Sequence, residues 1–400
     1  MLFLTEVLKC ETPLYIISIM QLFILSMLTQ ATIATLSPYL QIIFRNKGYS
    51  HSLSGTLIAL CQLSAIIMPL IISSLSDKRG KTKPMIILCG VLSILLSMPF
   101  LLSESFPVVV VSAFLLNGFF WCLNPLADGF INRKLSGDSS KYGVIRAMGT
   151  LSYVTALVLF GITGFPHEND NSSILTCMMI FLPLLVLGSL FLKEDKREKA
   201  VGEKGKLFSF SWFPKRFYLF MGIVALTRIG QSVVEKLLPS YMTENLGLGD
   251  SFVLFVALGA VFEFFCMIIF GKLNRKGILS STTILTISAV GLVARLLLYL
   301  VPGLPAFILA QTLHGLTFGA LHLCATSYTA ANVDKNHYDL GMTLYWSLAT
   351  NLPEMIGALC GGFIIDSFGY PMLFFSYAFF PLLAVILSIV FKKTLDGVKK

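Results

Sequence analysis

The sequence predicts an all-α membrane protein of twelve transmembrane helices, arranged as two pseudo-symmetric six-helix halves. Three observations carry that expectation: a composition too apolar for water, apolar stretches of bilayer length, and motifs repeated half a chain apart. Of 400 residues, 56% are hydrophobic and 13% are charged, with a mean hydropathy of +0.81. Ordinary soluble domains carry about 25% charged residues. A water-soluble fold of this size has no interior large enough to hide the excess apolar surface.

The apolar stretches run over roughly 14–38, 52–75, 84–102, 106–131, 144–165, 173–192, 217–242, 251–271, 278–301, 304–331, 340–365 and 371–391. Each approaches or exceeds the ~20 residues that cross a hydrocarbon core. The first is too long for a signal-peptide core and lacks a small-residue cleavage site, so no cleavable signal is expected. Lys and Arg set the orientation. With the N-terminus inside, 24 of them fall in inside segments and two, Arg45 and Lys47, outside. That bias puts both termini in the cytoplasm, with a bacterial inner membrane the expected location. The net charge of +9 is therefore a topology signal and does not indicate a nucleic-acid partner. The longest hydrophilic segment, 193–216, reads as a solvated linker between an N-terminal bundle, 1–192, and a C-terminal bundle, 217–400.

The eight cysteines are scattered without paired spacing. Cys61, Cys89, Cys122, Cys177, Cys266, Cys324 and Cys360 lie in apolar runs and Cys10 near the start. They read as small buried hydrophobes, and neither a metal nor a cofactor is expected. Asn171-Ser172-Ser173 is a formal glycosylation sequon.

Asp77-Lys78-Arg79-Gly80-Lys81 follows the second span and Asn274-Arg275-Lys276-Gly277 follows the eighth, 197 residues later. Tyr142-Gly143 opens the fifth span and Asp339-Leu340-Gly341 the eleventh, at an offset of 198. Related halves are a common transporter design. On these residues the chain resembles the major facilitator superfamily. Residues 77–81 are similar to that family's loop between helices 2 and 3, with Ser73 where the family usually has Gly. The resemblance implies a central cavity opening alternately to either side. It also implies a conformational role for Asp77, Lys78, Arg79 and Gly80 and their counterparts Asn274, Arg275 and Gly277.

Charges inside spans are costly, ~2.5–3.5 kcal/mol each at the bilayer centre, and are rarely idle. Four acids (Asp128, Glu235, Glu263, Glu354) face four bases (Arg146, Arg228, Lys236, Arg295), a balance that suggests internal pairing. His314 and His322 join them on the tenth span. Asp128 lies five residues before Arg133 and Arg146 five after Lys141. Adjacent antiparallel helices therefore bring them to one depth, ~7–8 Å inside their cytoplasmic anchors. They form either a lock between two helices or a substrate site with a carboxylate acceptor and guanidinium donors. Glu263, Arg295 and His314 fall at depths where their side chains can meet. Such a carboxylate is either part of a static core or poised to exchange a proton. Arg228 and Glu235 share a helix face. With Lys236 and Glu354 they make a candidate gating or structural pair between the seventh and eleventh spans. Trp121 reads as an interfacial, core or cavity aromatic.

Tyr142-Gly143-x-x-Arg146-x-x-Gly149, with Asp128 before it, resembles the lactose permease and 3-phenylpropionate permease branch of the superfamily. So does Thr-Leu-His-Gly-Leu-Thr-Phe-Gly at 312–319. The resemblance implies that Asp128 and Arg146 bind substrate, that Tyr153 stacks on it, and that His314 contacts it. It also implies that Glu263, Arg295 and His314 serve proton coupling. One departure is Thr317, which stands where lactose permease has its proton-carrying acid.

Three function classes compete. A membrane enzyme or sensor finds no H-E-x-x-H, nucleophile elbow or G-x-x-x-x-G-K-[ST] loop to support it, and without the last this chain has no ATP-driven pump. Family exporters usually carry a Gly-Pro-Gly-rich fifth helix, whereas here no proline precedes Pro166 in that span. The expectation is a monomeric secondary importer, not an enzyme. It would move a sugar, nucleoside or aromatic acid with a proton, sodium being the alternative ion, with an exporter or uniporter as the alternative function.

Overall fold

The computed structural model describes residues 13–135, 139–193, 213–333, 341–342 and 344–397, without the side chains of 13–16, 77–78, 139–140, 143 and 330. The linker from 194 to 212, Cys10, Lys335 and the Asp339-Leu340 part of the repeat lie outside these residues, as do the side chains of Asp77 and Lys78. Every regular element among the described residues is helical. The spans are α1 (Pro13–Leu36), α2 (His51–Arg79), α3 (Lys83–Leu102), α4 (Phe106–Lys134), α5 (Ser139–Thr163) and α6 (Asn171–Leu190). They continue with α7 (Lys215–Asn245), α8 (Phe252–Arg275), α9 (Ser281–Leu298) and α10 (Leu304–Thr329).

The remaining apolar stretch, Tyr345–Val390, is 46 residues long. A straight helix of that length would span about 70 Å, over twice the hydrocarbon thickness. It is broken at Gly369, whose φ of 78° and ψ of 174° only glycine adopts freely. Pro371 then sits in the first turn of the next helix, where its missing N–H costs nothing. The stretch is thus two spans, α11 (345–368) and α12 (370–390), and the spans among the described residues number twelve. The first span differs from its expected end. Pro38 cannot extend the α1 ladder, so the chain turns and resumes as a short helix, Leu40–Asn46. Lys47 then donates from Nζ to the carbonyls of Leu101 (3.0 Å) and Ser103 (2.8 Å) at the end of α3.

The repeated motif has a structural meaning. α2 and α8 stop in the same way, at Gly80 (φ 65°) and Gly277 (φ 69°). In each, the N–H after the glycine reaches back to a carbonyl five residues earlier: Lys81 to Ser76 at 3.2 Å, and Ile278 to Leu273 at 3.0 Å. This is the glycine-dependent helix stop that satisfies orphan carbonyls. Asn274 adds donors to Leu279 O and Ser281 Oγ, tying the end of α8 to the start of α9. Arg275 bonds its own helix at Gly271 O, and Arg79 is exposed.

The chain forms two compact units, Met1–Lys47 with Ser64–Glu203, and Gly48–Leu63 with Lys204–Lys400. In the first, α3 packs on α4 and α6, and α1 on α5 and α6. In the second, α8 packs on α10, α7 meets α11 at Ser232 and Gly357, and Thr286 on α9 bonds Ser388 on α12 at 2.8 Å. The sequence-based division gives all of 1–192 to one half, whereas residues 48–63 pack with the second unit. There the Asp366 carboxylate accepts from the backbone N–H of His51 (3.1 Å) and Ser52 (2.6 Å), and His51 Nε2 lies 3.2 Å from Glu244. Large apolar side chains such as Phe363, Phe375 and Phe379 are left exposed along the helices, as a lipid-facing surface requires.

Regular α-helix gives way to π-helical turns at Val233–Leu237 and Tyr241–Asn245 in α7, Gly315–Ala320 in α10 and Tyr345–Asn351 in α11. At α10 the glycines of the 312–319 motif admit the α8 backbone. A Cβ on Gly315 would strike Phe262 O, and one on Gly319 would sit 2.9 Å from Glu263 Cγ. Gly315→Ala should therefore force α8 and α10 apart at a cost of about 1–3 kcal/mol. Thermal unfolding in detergent checks this, and an unchanged melting temperature would refute the close approach.

Candidate functional site

The first unit holds a polar cluster within its spans. Asp128 on α4 and Arg146 on α5 meet at 3.8 Å (Oδ1 to Nη1), with 27% and 35% of their side chains exposed. Equal depth below the helix ends brings them together, as the sequence suggested. Tyr142, one turn before Arg146, hydrogen-bonds Asp128. Arg146 Nη1 also donates to Asn124 Oδ1 at 3.3 Å. The side-chain amide of Gln30 on α1 lies beside both Asn124 and the Arg146 guanidinium, and its oxygen accepts from Arg146. Gly149 lets this happen, because a Cβ there would sit 2.5 Å from Ser26 Oγ and 3.0 Å from Gln30 Cγ. Sequence reasoning missed Gln30 and Asn124. The available signal was Asn124 one turn before Asp128 and a glutamine in the middle of an apolar span. Tyr153 lies two turns from Arg146 and is half-buried. Trp121 is half-buried as well and packs edge-on to Phe120 at 6.1 Å.

Two clusters lie within the spans of the second unit, among its described residues. One centres on Arg295, which is fully buried. Its guanidinium donates to Tyr299 Oη (3.0 Å), Gln311 Oε1 (2.9 Å) and Thr317 Oγ1 (3.1 Å), and lies 2.9 Å from His314 Nδ1. Arginine has no acceptor, so Nδ1 must be the unprotonated nitrogen. The His314 proton is then on Nε2, 3.8 Å from Glu263 Oε2. Glu263, His314 and Arg295 do come together, but as a chain: the imidazole stands between the carboxylate and the guanidinium. Thr317, which replaces an acid in the related branch, serves as an acceptor for Arg295.

The other cluster centres on Glu354 of α11, 6% exposed. Oε1 lies 3.7 Å from Arg228 Nη1, and Oε2 lies 3.3 Å from Lys236 Nζ and accepts from Gln62 Nε2 at 3.2 Å. Arg228 also donates to Tyr345 Oη (3.1 Å) and lies over the Phe318 ring at 4.7 Å. Tyr345 Oη is 2.9 Å from His322 Nδ1. The expected α7–α11 pairing is thus Arg228 and Lys236 with Glu354. Glu235 is not part of it, because consecutive residues point about 100° apart on a helix. Instead it accepts from Gln231 Nε2 at 2.9 Å. Among the described residues no group of His, Cys, Asp and Glu is arranged to hold a metal.

The model of the MFS_1 like family matches residues 19–376, most of the chain. This protein belongs to the MFS_1 like family. It is a multi-pass membrane transporter of the permease type, not an enzyme. It is similar to the uncharacterized transporter YwbF of Bacillus subtilis (strain 168), 23% identical over 362 residues and covering 89% of this chain and 87% of that one. It is likewise similar to the sucrose permease of Escherichia coli, 23% identical over 373 residues and 86% of each chain. Its fold matches the nucleoside transporter NupG (TM-score 0.73, 15% identity, covering 95% of this chain and 99% of that one). It also matches a POT family transporter crystallised with a thioalcohol-conjugated peptide (TM-score 0.76, 12% identity, 95% and 96%).

In this MFS_1 like protein the Glu354 cluster is sensitive to deletion of one partner. Glu354→Leu leaves Arg228 and Lys236 uncompensated and should cost about 3–5 kcal/mol. Adding Arg228→Met and Lys236→Leu should recover much of that loss. Unfolding midpoints of the single and triple variants test the pairing, and additive losses would refute it.

Proposed function

We propose that this transporter imports a small hydroxylated solute, a sugar or nucleoside, by proton symport with alternating access, in a cell membrane with both termini cytoplasmic. The observation that carries the reading is the Asp128–Arg146 cluster. It joins a carboxylate, a guanidinium, two amides and a phenol, and its two charges are partly exposed. Such a set offers both acceptors and donors, which suits hydroxyl groups. The similarity to a sucrose permease and the fold of a nucleoside transporter support the same substrate class, and the 24-to-2 charge bias supports the orientation. Tyr153 would supply an apolar ring face to the bound solute.

Glu263 is the proposed proton carrier. Glu354 is clamped by two cations and an amide, so a proton arriving there must displace a cation. Glu263 meets a neutral imidazole and is 23% exposed. His314 and Arg295 would position it. When the conformation changes, a shift of Arg295 toward Glu263 would favour the carboxylate and release the proton, and proton and solute would promote each other's binding.

Two substitutions test this reading. Asp128→Asn should abolish solute binding while the protein still inserts, with binding measured on a panel of radiolabelled sugars, nucleosides and aromatic acids. Normal affinity would remove Asp128 from the site. Glu263→Gln mimics the protonated acid. It should bind solute and exchange it between filled vesicle compartments, yet fail to accumulate it against a gradient. Accumulation equal to wild type would remove Glu263 from the mechanism, and wild-type uptake that ignores a pH gradient would leave a uniporter or sodium-coupled carrier.

A further inference from the structure

Arg228, Gln231 and Glu235 lie at i, i+3 and i+7 of α7, on one polar stripe of an otherwise apolar helix. Arg228 and Lys236, the residue after Glu235, are committed to Glu354. Glu235 is a different case. It is half-buried, its hydrogen-bond partner is Gln231 Nε2, and the Arg228 ion pair goes to Glu354 instead. A carboxylate can only accept, so the nitrogen of Gln231 must be the atom that faces it. The Gln231 oxygen is then fixed on the other side, where it is fully buried and has no donor. Buried acceptors are nearly always satisfied, and one that is not marks a place for a missing donor. Among the described residues the second carboxylate oxygen makes no hydrogen bond, so it and, on its own side, the orphan amide oxygen each lack a donor. The π-helical turn at Val233–Leu237 falls directly on Glu235, and such turns are frequent at functional sites.

We propose that Glu235, backed by Gln231, is a solute-recognition site of the second unit that accepts a hydroxyl or amino donor from the transported molecule. This rests on the reading of the chain as an importer of hydroxylated solutes and narrows it: the solute must present a donor here, and an anionic group is excluded from this position.

The test measures Kd for sucrose, uridine and 3-phenylpropionate with purified protein, for wild type, Glu235→Ala, Glu235→Gln and Gln231→Leu, with melting temperatures as the check on folding. Expected is binding of sucrose or uridine by wild type, weakened about tenfold or more in Glu235→Ala and less in Glu235→Gln, which keeps an acceptor oxygen. The near-isosteric Glu235→Gln serves if the alanine variant fails to fold. Monodeoxy analogues of the bound sugar or nucleoside supply a readout that a structural role would not move. One of them should lose affinity for wild type but not for Glu235→Ala. Kd values within twofold across all variants would overturn the inference and leave the importer reading standing. A wild type that binds 3-phenylpropionate but neither sucrose nor uridine would overturn both the inference and the sugar or nucleoside assignment.

Discussion

A charge within a hydrocarbon layer must be neutralised by the protein itself, and the interior of this transporter is organised by that requirement. The partners stand on different helices: Asp128 on α4 with Arg146 on α5, Glu354 on α11 with Arg228 and Lys236 on α7, and Glu263 on α8 with His314 on α10. Each contact therefore fixes the register of two helices, and the first two also cancel charge. Dispersion alone would let apolar helices slide past one another, since lipid tails are as apolar as leucine. A buried pair with one partner missing leaves a bare charge. Registers that separate partners are thus disfavoured far more strongly than the native one is favoured.

The backbone departs from regular helix where these side chains have to meet. The π-helical turns of α7, α10 and α11 fall on Glu235 and Lys236, on Gly315–Ala320 just after His314, and on Tyr345. A π turn holds an extra residue, so it rotates everything beyond it relative to the preceding face. At α10 this coincides with Gly315 and Gly319, which bring the α8 backbone into direct contact and set Glu263 beside the imidazole. Among the described residues the first unit has no such turn. Its cluster is built on regular helices and relies on Gly149 for close approach.

Depth along a span is legible in a sequence; rotation about the helix axis is much less so. Counting from the cytoplasmic anchors put Asp128 and Arg146 at one level, and they meet. Counting from the outer ends put Glu263, Arg295 and His314 within reach of one another, and they form one chain. It did not reveal that His314 intervenes, nor that Arg295 gathers Tyr299, Gln311 and Thr317, because the order around Arg295 depends on how α9 and α10 face each other. Glu235 shows the same limit. Sharing a face with Arg228 suggested a common pair, but that face meets Gln231, and α11 engages Lys236 instead. The helix count was readable throughout. The break at Gly369 left a signature in the Gly-Tyr-Pro sequence even though the apolar run is nearly continuous.

The two units share a plan, with helices stopped alike at Gly80 and Gly277, yet their polar interiors differ in exposure. Arg146 and Asp128 are about one-third open, whereas Arg228 and Arg295 are sealed. In a hydrated setting an ion pair is weak, so its members can trade each other for a ligand's hydroxyls at small cost. In a sealed setting the same exchange exposes a charge to low dielectric and is prohibitive. Exchange of ligand therefore suits the first unit, and the sealed arginines of the second suit holding geometry. Two acids of the second unit escape that seal. Glu263 and Glu235 are only half-buried, and each meets a neutral side chain, an imidazole or an amide. At the Glu235–Gln231 contact a change of partner strands no cation. If the second unit responds to proton or solute, the physics of exposure places that response on these two carboxylates and not on Glu354.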